Sequence, residues 1–287
     1  MGKISFGPAR VPSRESPEAA VEQLLERGYS ACEIDFEGGF WMDYPWAERF
    51  GELARDAKIV LSVHAPLAGF MGHVERDKKH RMATGMLDHS AGVAVSCGAK
   101  LVVLHPGFLL GRPRDQALAD VVDQLAELRE RLEGKGRAVP FGVEVMGRVR
   151  ELGTAEDVFE IAAQLPWVRP VIDFAHLHAV TDGAFLEVDT FHGVLAAADA
   201  LLEKGAPFHI HFSDIAYANR NETKHLPYGK GTLRAEPLAK ALRKFRRAAT
   251  VISESPDEAS SQAIRSILLA KASARPATGA RAVKRSA

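Results

Sequence analysis

The chain has 287 residues, 46% of them hydrophobic, with 37 basic and 37 acidic side chains and two cysteines. This length and apolar content suit one large core, the lack of any 18-residue apolar run excludes a membrane-spanning helix, and two cysteines exclude a disulfide framework. Balanced charge gives no global field for a polyanion, so a nucleic-acid partner would need a local patch.

Taken in chain order, short apolar runs alternate with longer amphipathic stretches, the pattern of βα units on a parallel sheet. The strands are predicted at Lys3 to Phe6, Ala31 to Asp35, Ile59 to His64, Leu101 to His105, Phe141 to Val145, Arg169 to Asp173, Phe208 to Phe212 and Thr250 to Ser253. Helices are predicted near Pro17 to Arg27, Trp46 to Ala57, Lys79 to Ser96, Asp115 to Leu132, Ala155 to Gln164, Thr190 to Glu203, Ala235 to Arg246 and Ser260 to Lys271. Ser16-Pro17 and Thr154 read as helix starts, and Gly28, Gly98 and Gly205 fall just past helix ends. Eight such units make a single (β/α)₈ TIM barrel over residues 1–272, with its active face at the C-terminal ends of the strands. Residues 273–287 turn polar and basic and read as a disordered tail. No signal-peptide core follows Met1, and the reading expects a cytoplasmic monomer with Cys32 and Cys97 as buried thiols.

The predicted strand ends are uniform in chemistry. Strand three ends at His64, strand four at His105, strand five at Glu144, strand six at Asp173, strand seven at His211 and strand eight at Glu254. His176 follows Asp173 by three residues, Asp214 follows His211 by three, and His225 lies in the next loop. Any one of these could be a satisfied polar group or a helix cap. Three imidazoles and three carboxylates in one mouth cost several kcal/mol per unpaired charge unless a cation compensates. Divalent metal does so, because imidazole and carboxylate are its ordinary ligands and a carboxylate can bridge two ions. Asp214 and His209 read as residues behind the ligands, and the remaining histidines as structural or surface groups.

The ordered set Val63-His64-Ala65-Pro66, His105-Pro106-Gly107, Glu144, Asp173-x-x-His176, His211-x-x-Asp214, His225 with Gly229-Lys230-Gly231, and Glu254-Ser255-Pro256 resembles endonuclease IV, the metal-dependent abasic-site endonucleases. The resemblance runs from about residue 3 to residue 256. It implies two or three Zn²⁺ ions, with Mn²⁺ as an alternative, and a partner in DNA containing abasic sites. His64 and His105 would hold the first ion, with Glu144 bridging to the second; Asp173, His211 and Glu254 would complete the second. His176 and His225 would hold the third. The reaction implied is metal-assisted hydrolysis of the phosphodiester 5′ to an abasic sugar, with Glu144 and Glu254 as the catalytic carboxylates.

Two departures accompany the resemblance. The family carries an Asp two residues before the last His, where this chain has Thr223, and neighbouring Glu222 is the available substitute. The DNA-contacting loops differ as well. Phe40 and Trp41 after strand two and Phe70 after strand three are the wedges on offer, and Lys224 and Lys230 the phosphate contacts. The rival reading is a sugar isomerase or epimerase with one Mn²⁺, Mg²⁺ or Co²⁺ ion at Glu144, Asp173, His211 and Glu254, for which the other four histidines are superfluous. A barrel that binds metal without chemistry is the third.

Overall fold

The computed structural model describes residues 2–270, so the expected basic tail at 273–287 lies outside the described residues. Eight parallel strands form the barrel: β1 (Ile4–Pro8), β2 (Ala31–Asp35), β3 (Val60–His64), β4 (Val102–Leu104), β5 (Phe141–Glu144), β6 (Val168–Asp173), β7 (Phe208–Phe212) and β10 (Ala249–Ser253). They pair in the order β1-β10-β7-β6-β5-β4-β3-β2. Closure falls between β1 and β2, where the Ser30 N–H donates to the Phe6 carbonyl at 2.9 Å and the Phe6 N–H donates to Ser30 Oγ at 3.1 Å. Gly7 is required there, since a Cβ would overlap the Ala31 carbonyl of the neighbouring strand.

Helices α1 (Pro17–Glu26), α2 (Tyr44–Asp56), α3 (Lys78–Cys97), α4 (Arg114–Glu133), α5 (Ala155–Gln164), α7 (Val188–Leu201), α8 (Ala235–Leu242) and α9 (Glu258–Leu269) complete the units. Each of the eight predicted strands and eight predicted helices is present, with ends shifted by a few residues. The start signals act as expected: Ser16 caps α1, and Thr154 with Asp157 forms a capping box on α5. Gly98 ends α3 in the left-handed conformation at φ 71°. Cys32 and Cys97 are buried thiols. No described helix is long and apolar enough to cross a membrane.

Two elements exceed the reading of eight simple units. Helix α6 (Phe174–Val180) starts directly at the end of β6, capped by the Asp173 carboxylate, which accepts the His176 N–H at 2.7 Å. Its residues Phe174 to Ala179 are all buried, so no polar face marks it as an amphipathic helix. After β7 the chain forms an antiparallel hairpin, β8 (Asp214–Ala218) and β9 (Asn221–Leu226), in place of the expected loop. Its turn residues Asn219 and Arg220 are both left-handed, at φ 52° and 61°, as a tight two-residue hairpin demands.

Side chains alternate along a strand, so each barrel strand sends residues i and i+2 inward. Ser62 and His64, Gly142 and Glu144, Val171 and Asp173, and His209 and His211 are such pairs. The upper member of each reaches the rim. The lower members divide into a small apolar cluster, Leu101, Val103 and Val171, and a polar group comprising Glu33, Ser62 and His209.

Candidate metal centre

The rim residues form three neighbouring groups whose ligand atoms lie within 4.8 Å of one another: His64, His105 and Glu144; Glu144, Asp173, His211 and Glu254; and His176, Glu222 and His225. Glu144 belongs to two of them. Its Oε2 lies 3.2 Å from His64 Nε2 and 3.4 Å from His105 Nε2, while Oε1 lies 2.9 Å from His211 Nδ1. Every rim residue expected from the sequence to bind metal is therefore brought together.

The backbone orients the imidazoles. His64 Nδ1–H donates to the Ala65 carbonyl at 2.9 Å, and His176 Nδ1–H donates to the Val145 carbonyl at 2.8 Å. A carbonyl only accepts, so in each ring Nδ1 carries the proton of that bond and Nε2 is the nitrogen turned into the mouth, 3.2 Å from Glu144 Oε2 in His64 and 2.8 Å from Glu222 Oε2 in His176. His225 is held by Ser213 Oγ, 2.6 Å from Nδ1, with Nε2 facing Glu254. Asp173 divides its two oxygens: Oδ1 caps α6, and Oδ2 has no hydrogen-bond partner among the described residues. Glu254 Oε2 is likewise buried and without a hydrogen-bond partner. Orphaned carboxylate oxygens beside imidazole nitrogens turned into the mouth fit a divalent cation, which would replace the protons those nitrogens hold.

Electrostatics agree with that fit. Burial opposes the charge of Glu144, yet the His211 imidazole and hydrogen bonds from His105, His211 and His64 hold its carboxyl well below the usual range. Glu254, despite burial, is drawn down to about 2 by His211 and His225. Burial instead dominates at Asp173, where Glu254 and Glu144 add repulsion and push its carboxyl well above the ordinary value. Burial also opposes the charge on His64, but Glu144 and its neighbours raise it to about 10. Without a cation the cluster compensates its charges by holding protons, and a bound cation would take their place.

The structure resolves the Thr223 departure. Strand β9 carries a bulge: Ala216 pairs with Lys224 and the next residue, Tyr217, pairs with Glu222, which leaves Thr223 as the extra residue. Residues 222 and 225 would point to opposite faces of a regular strand; the bulge restores them to one face. Glu222 Oε2 then lies 2.8 Å from His176 Nε2, and Thr223 Oγ1–H donates to the Ala216 carbonyl at 2.9 Å instead of facing the mouth. Gly147 admits the carboxylate, because a Cβ there would stand 2.7 Å from Glu222 Oε2.

Two cavities open at this face. One of about 240 Å³ is lined by Leu67, Phe108, Met146, Arg148 and members of all three groups. The other, about 530 Å³, lies toward the ends of β1, β2 and β10 and is rich in carboxylates, with Asp35, Glu37, Asp257 and Glu258 facing Arg10 and Arg27. The expected substrate contacts line neither, and their placements explain why. Trp41 donates its indole N–H to the Asp35 carbonyl at 2.9 Å and packs edge-on against Trp46, with Arg14 over its ring. Phe40 packs edge-on against Phe36 and His89, and Phe70 stacks on His73. Lys224 and Lys230 are exposed; Lys224 neighbours His225 on β9 and so takes the opposite face. The large apolar side chains exposed at the mouth are Phe108 and Leu67, and the basic side chain lining the smaller cavity is Arg148, paired with Glu222 at 3.2 Å and Glu151 at 3.5 Å.

Two further corrections concern carboxylates. Asp214 is a loop clasp: its oxygens accept backbone N–H groups of Gly229, Gly231, Leu233 and Ile215 at 2.7 to 3.2 Å. Glu33, on β2, was not anticipated. It is fully buried beneath the rim, and its only sequence signal is an acid flanked by apolar Cys32 and Ile34 in the middle of a strand.

A family model described as a xylose isomerase-like TIM barrel matches residues 21–275. An uncharacterised protein of Methanocaldococcus jannaschii is 30% identical over 256 residues, covering 88% of this chain and 92% of that protein. Among solved structures, a D-tagatose 3-epimerase-like protein superposes with a TM-score of 0.72 at 20% identity, covering 92% of this chain and 95% of its own. Endonuclease IV from Thermus thermophilus superposes with a TM-score of 0.69 at 17% identity, covering 93% and 97%. At these identities the two likenesses speak to the fold alone.

Proposed function

Since the chain belongs to the xylose isomerase-like TIM barrel family, we propose its function from what its own rim adds to that barrel: a metal-dependent endonuclease that cuts DNA 5′ to abasic sites, using two or three zinc ions. The observation that carries this reading is Glu144, whose two oxygens face the imidazoles of two separate ligand groups while a third group, His176, Glu222 and His225, adjoins them. One ion at Glu144, Asp173, His211 and Glu254 would suffice for a sugar epimerase. The other two groups have a use where a phosphodiester must be held and its charge spread over several cations. Bound ions would supply Lewis-acid charge at the phosphoryl oxygens and activate water.

The remaining work falls to the chain. Glu144 sets the separation of the first two groups, Asp173 fixes the second group to the start of α6, and Ser213 holds His225 in place. Arg148 stands at the mouth as a phosphate contact, and Phe108 with Leu67 offers an apolar edge against the base stack beside a baseless sugar.

A second reading has its own support. The carboxylate-rich cavity next to the centre suits the hydroxyls of a polyol better than a run of phosphates, and an epimerase-like protein is among the similar structures. The test covers both. A duplex carrying one stable abasic analogue is incubated with the chain, with and without Zn²⁺ or Mn²⁺, beside Glu144→Ala and Glu254→Ala. Metal-dependent incision 5′ to the lesion, lost in both variants, is expected. A folded, metal-loaded chain that leaves the duplex intact but exchanges a ketose C3 proton with solvent deuterium overturns the nuclease in favour of the epimerase.

A further inference from the structure

One step below the rim, Glu33 turns each of its oxygens toward a different set of neighbours. Oε2 accepts from Ser62 Oγ–H at 2.7 Å and lies 3.1 Å from His209 Nε2, while Oε1 lies 3.0 Å from His211 Nε2 in an ion-pair contact off the line of a hydrogen bond, and neither of these two atoms has a hydrogen-bond partner among the described residues. His209 and His211 are two apart on β7, so both rings face inward and one carboxylate spans them. A buried carboxylate in a barrel interior is costly unless paired. The rim chemistry makes no use of this one directly, but it meets His211 on the nitrogen opposite the one that faces Glu144 and Glu254.

We propose that Glu33 is a positioning residue of the metal centre, which fixes the His211 ring with Nε2–H toward itself and Nδ1 toward the ligand group, and is fixed in turn by Ser62 and His209. The proposal rests on the metal-binding part of the function above and is independent of the substrate. The same residues have one other use, a fourth ion between Glu33, His209 and His211. Positioning accounts for them better. Oε2 is already occupied by Ser62 and His209. An ion there, together with one at Glu144, Asp173, His211 and Glu254, would require His211 to give up the proton of both nitrogens, which imidazole resists at neutral pH. A carboxylate behind a ligating histidine instead fixes its tautomer and strengthens it as a donor.

The full chain, stripped with a chelator, is titrated with Co²⁺, whose visible absorption reports coordination geometry, and affinities for Zn²⁺ are obtained by competition. Glu33→Gln keeps the shape but not the charge; Ser62→Ala is the milder variant that decides if the first fails to fold. Glu33→Gln should bind as many ions as the parent chain, with one of them weakened about 10–100-fold and its spectrum altered. Ser62→Ala should shift the same ion in the same direction by less. Parental affinity and spectrum in either folded variant would overturn the proposal. So would the clean loss of one ion with the rest unchanged, which would make Glu33 a ligand. Because only metal is measured, a chain that binds metal but does not cut DNA sinks the nuclease and leaves this result standing.

Discussion

Glu222 and Thr223 are adjacent, yet the bulge in β9 assigns them opposite roles, and substitution separates the two. Glu222→Ala removes a carboxylate 2.8 Å from His176 Nε2, so the chain should lose one bound ion and incise an abasic duplex about 10–100-fold more slowly. Thr223→Ala removes only a hydroxyl bonded to the Ala216 carbonyl, and ion count and rate should stay at the parental level. Elemental analysis of the dialysed variants beside incision rates checks both; equal losses would mean that the bulge does not set the ligand. Phe108 permits a similar separation. It lines the cavity over the metal groups, whereas Phe40, Trp41 and Phe70 line neither cavity at this face. Losing one stacking surface costs about 1–3 kcal/mol, so Phe108→Ala should raise KM for an abasic duplex about tenfold with kcat little changed, and Trp41→Ala should leave KM in place. The rim ligands were legible because each is a charged or imidazole side chain interrupting an apolar strand end. Glu222 was named only as a substitute and Glu33 not at all, since a bulge and a barrel-interior pairing are tertiary facts that leave no local spacing behind.

At the scale of elements, α3 and α4 are tied through Asp88, a buried carboxylate that meets Arg131 Nε at 2.8 Å, Arg137 Nη1 at 2.5 Å and the Lys135 ammonium. Burial works against its charge, but Lys135, Arg131 and Arg137 hold it at about 2, below its ordinary 3.8. A depressed carboxyl adds stability that is complete above the unfolded value and fades as pH falls through the folded one, here from about 4 to about 2. Two of the three cations are more than two-fifths exposed, so water screens the network and its contribution is about 1 kcal/mol. Asp88→Asn should therefore unfold at lower urea than the parent at pH 7, and the gap should narrow toward pH 3. A gap of equal size at both values would assign the loss to packing. The same scale shows what periodicity can and cannot convey. Apolar alternation located the eight barrel strands and the eight helices predicted with them, because each has a face turned to the core. Helix α6 is buried on every side, and the β8–β9 hairpin is polar along its second strand, so neither carries a one-sided pattern.

For the molecule as a whole, folding assembles six carboxylates, Glu33, Glu37, Glu144, Asp173, Glu222 and Glu254, around the histidines of one barrel mouth, and a cation that binds only this arrangement must stabilise it. At a free concentration 100 times its dissociation constant, one ion adds about 2.7 kcal/mol, which for a chain of this size raises the midpoint of thermal unfolding by roughly 5–10 °C. Chelator-stripped protein should accordingly melt below protein supplied with Zn²⁺. The difference should widen between pH 6 and pH 8, because imidazoles must lose their protons to serve as ligands. Glu144 makes the sharper test, since it is shared between two groups and Glu222 belongs to one. Glu144→Gln should remove the larger part of the metal-dependent rise, and Glu222→Ala only the share of one ion. Equal residual rises in the two variants would mean that the groups bind independently and that Glu144 bridges nothing. A rise abolished by Glu144→Gln but untouched by Glu222→Ala would restrict the centre to the two groups that share Glu144, and the hairpin would then serve the mouth as a wall.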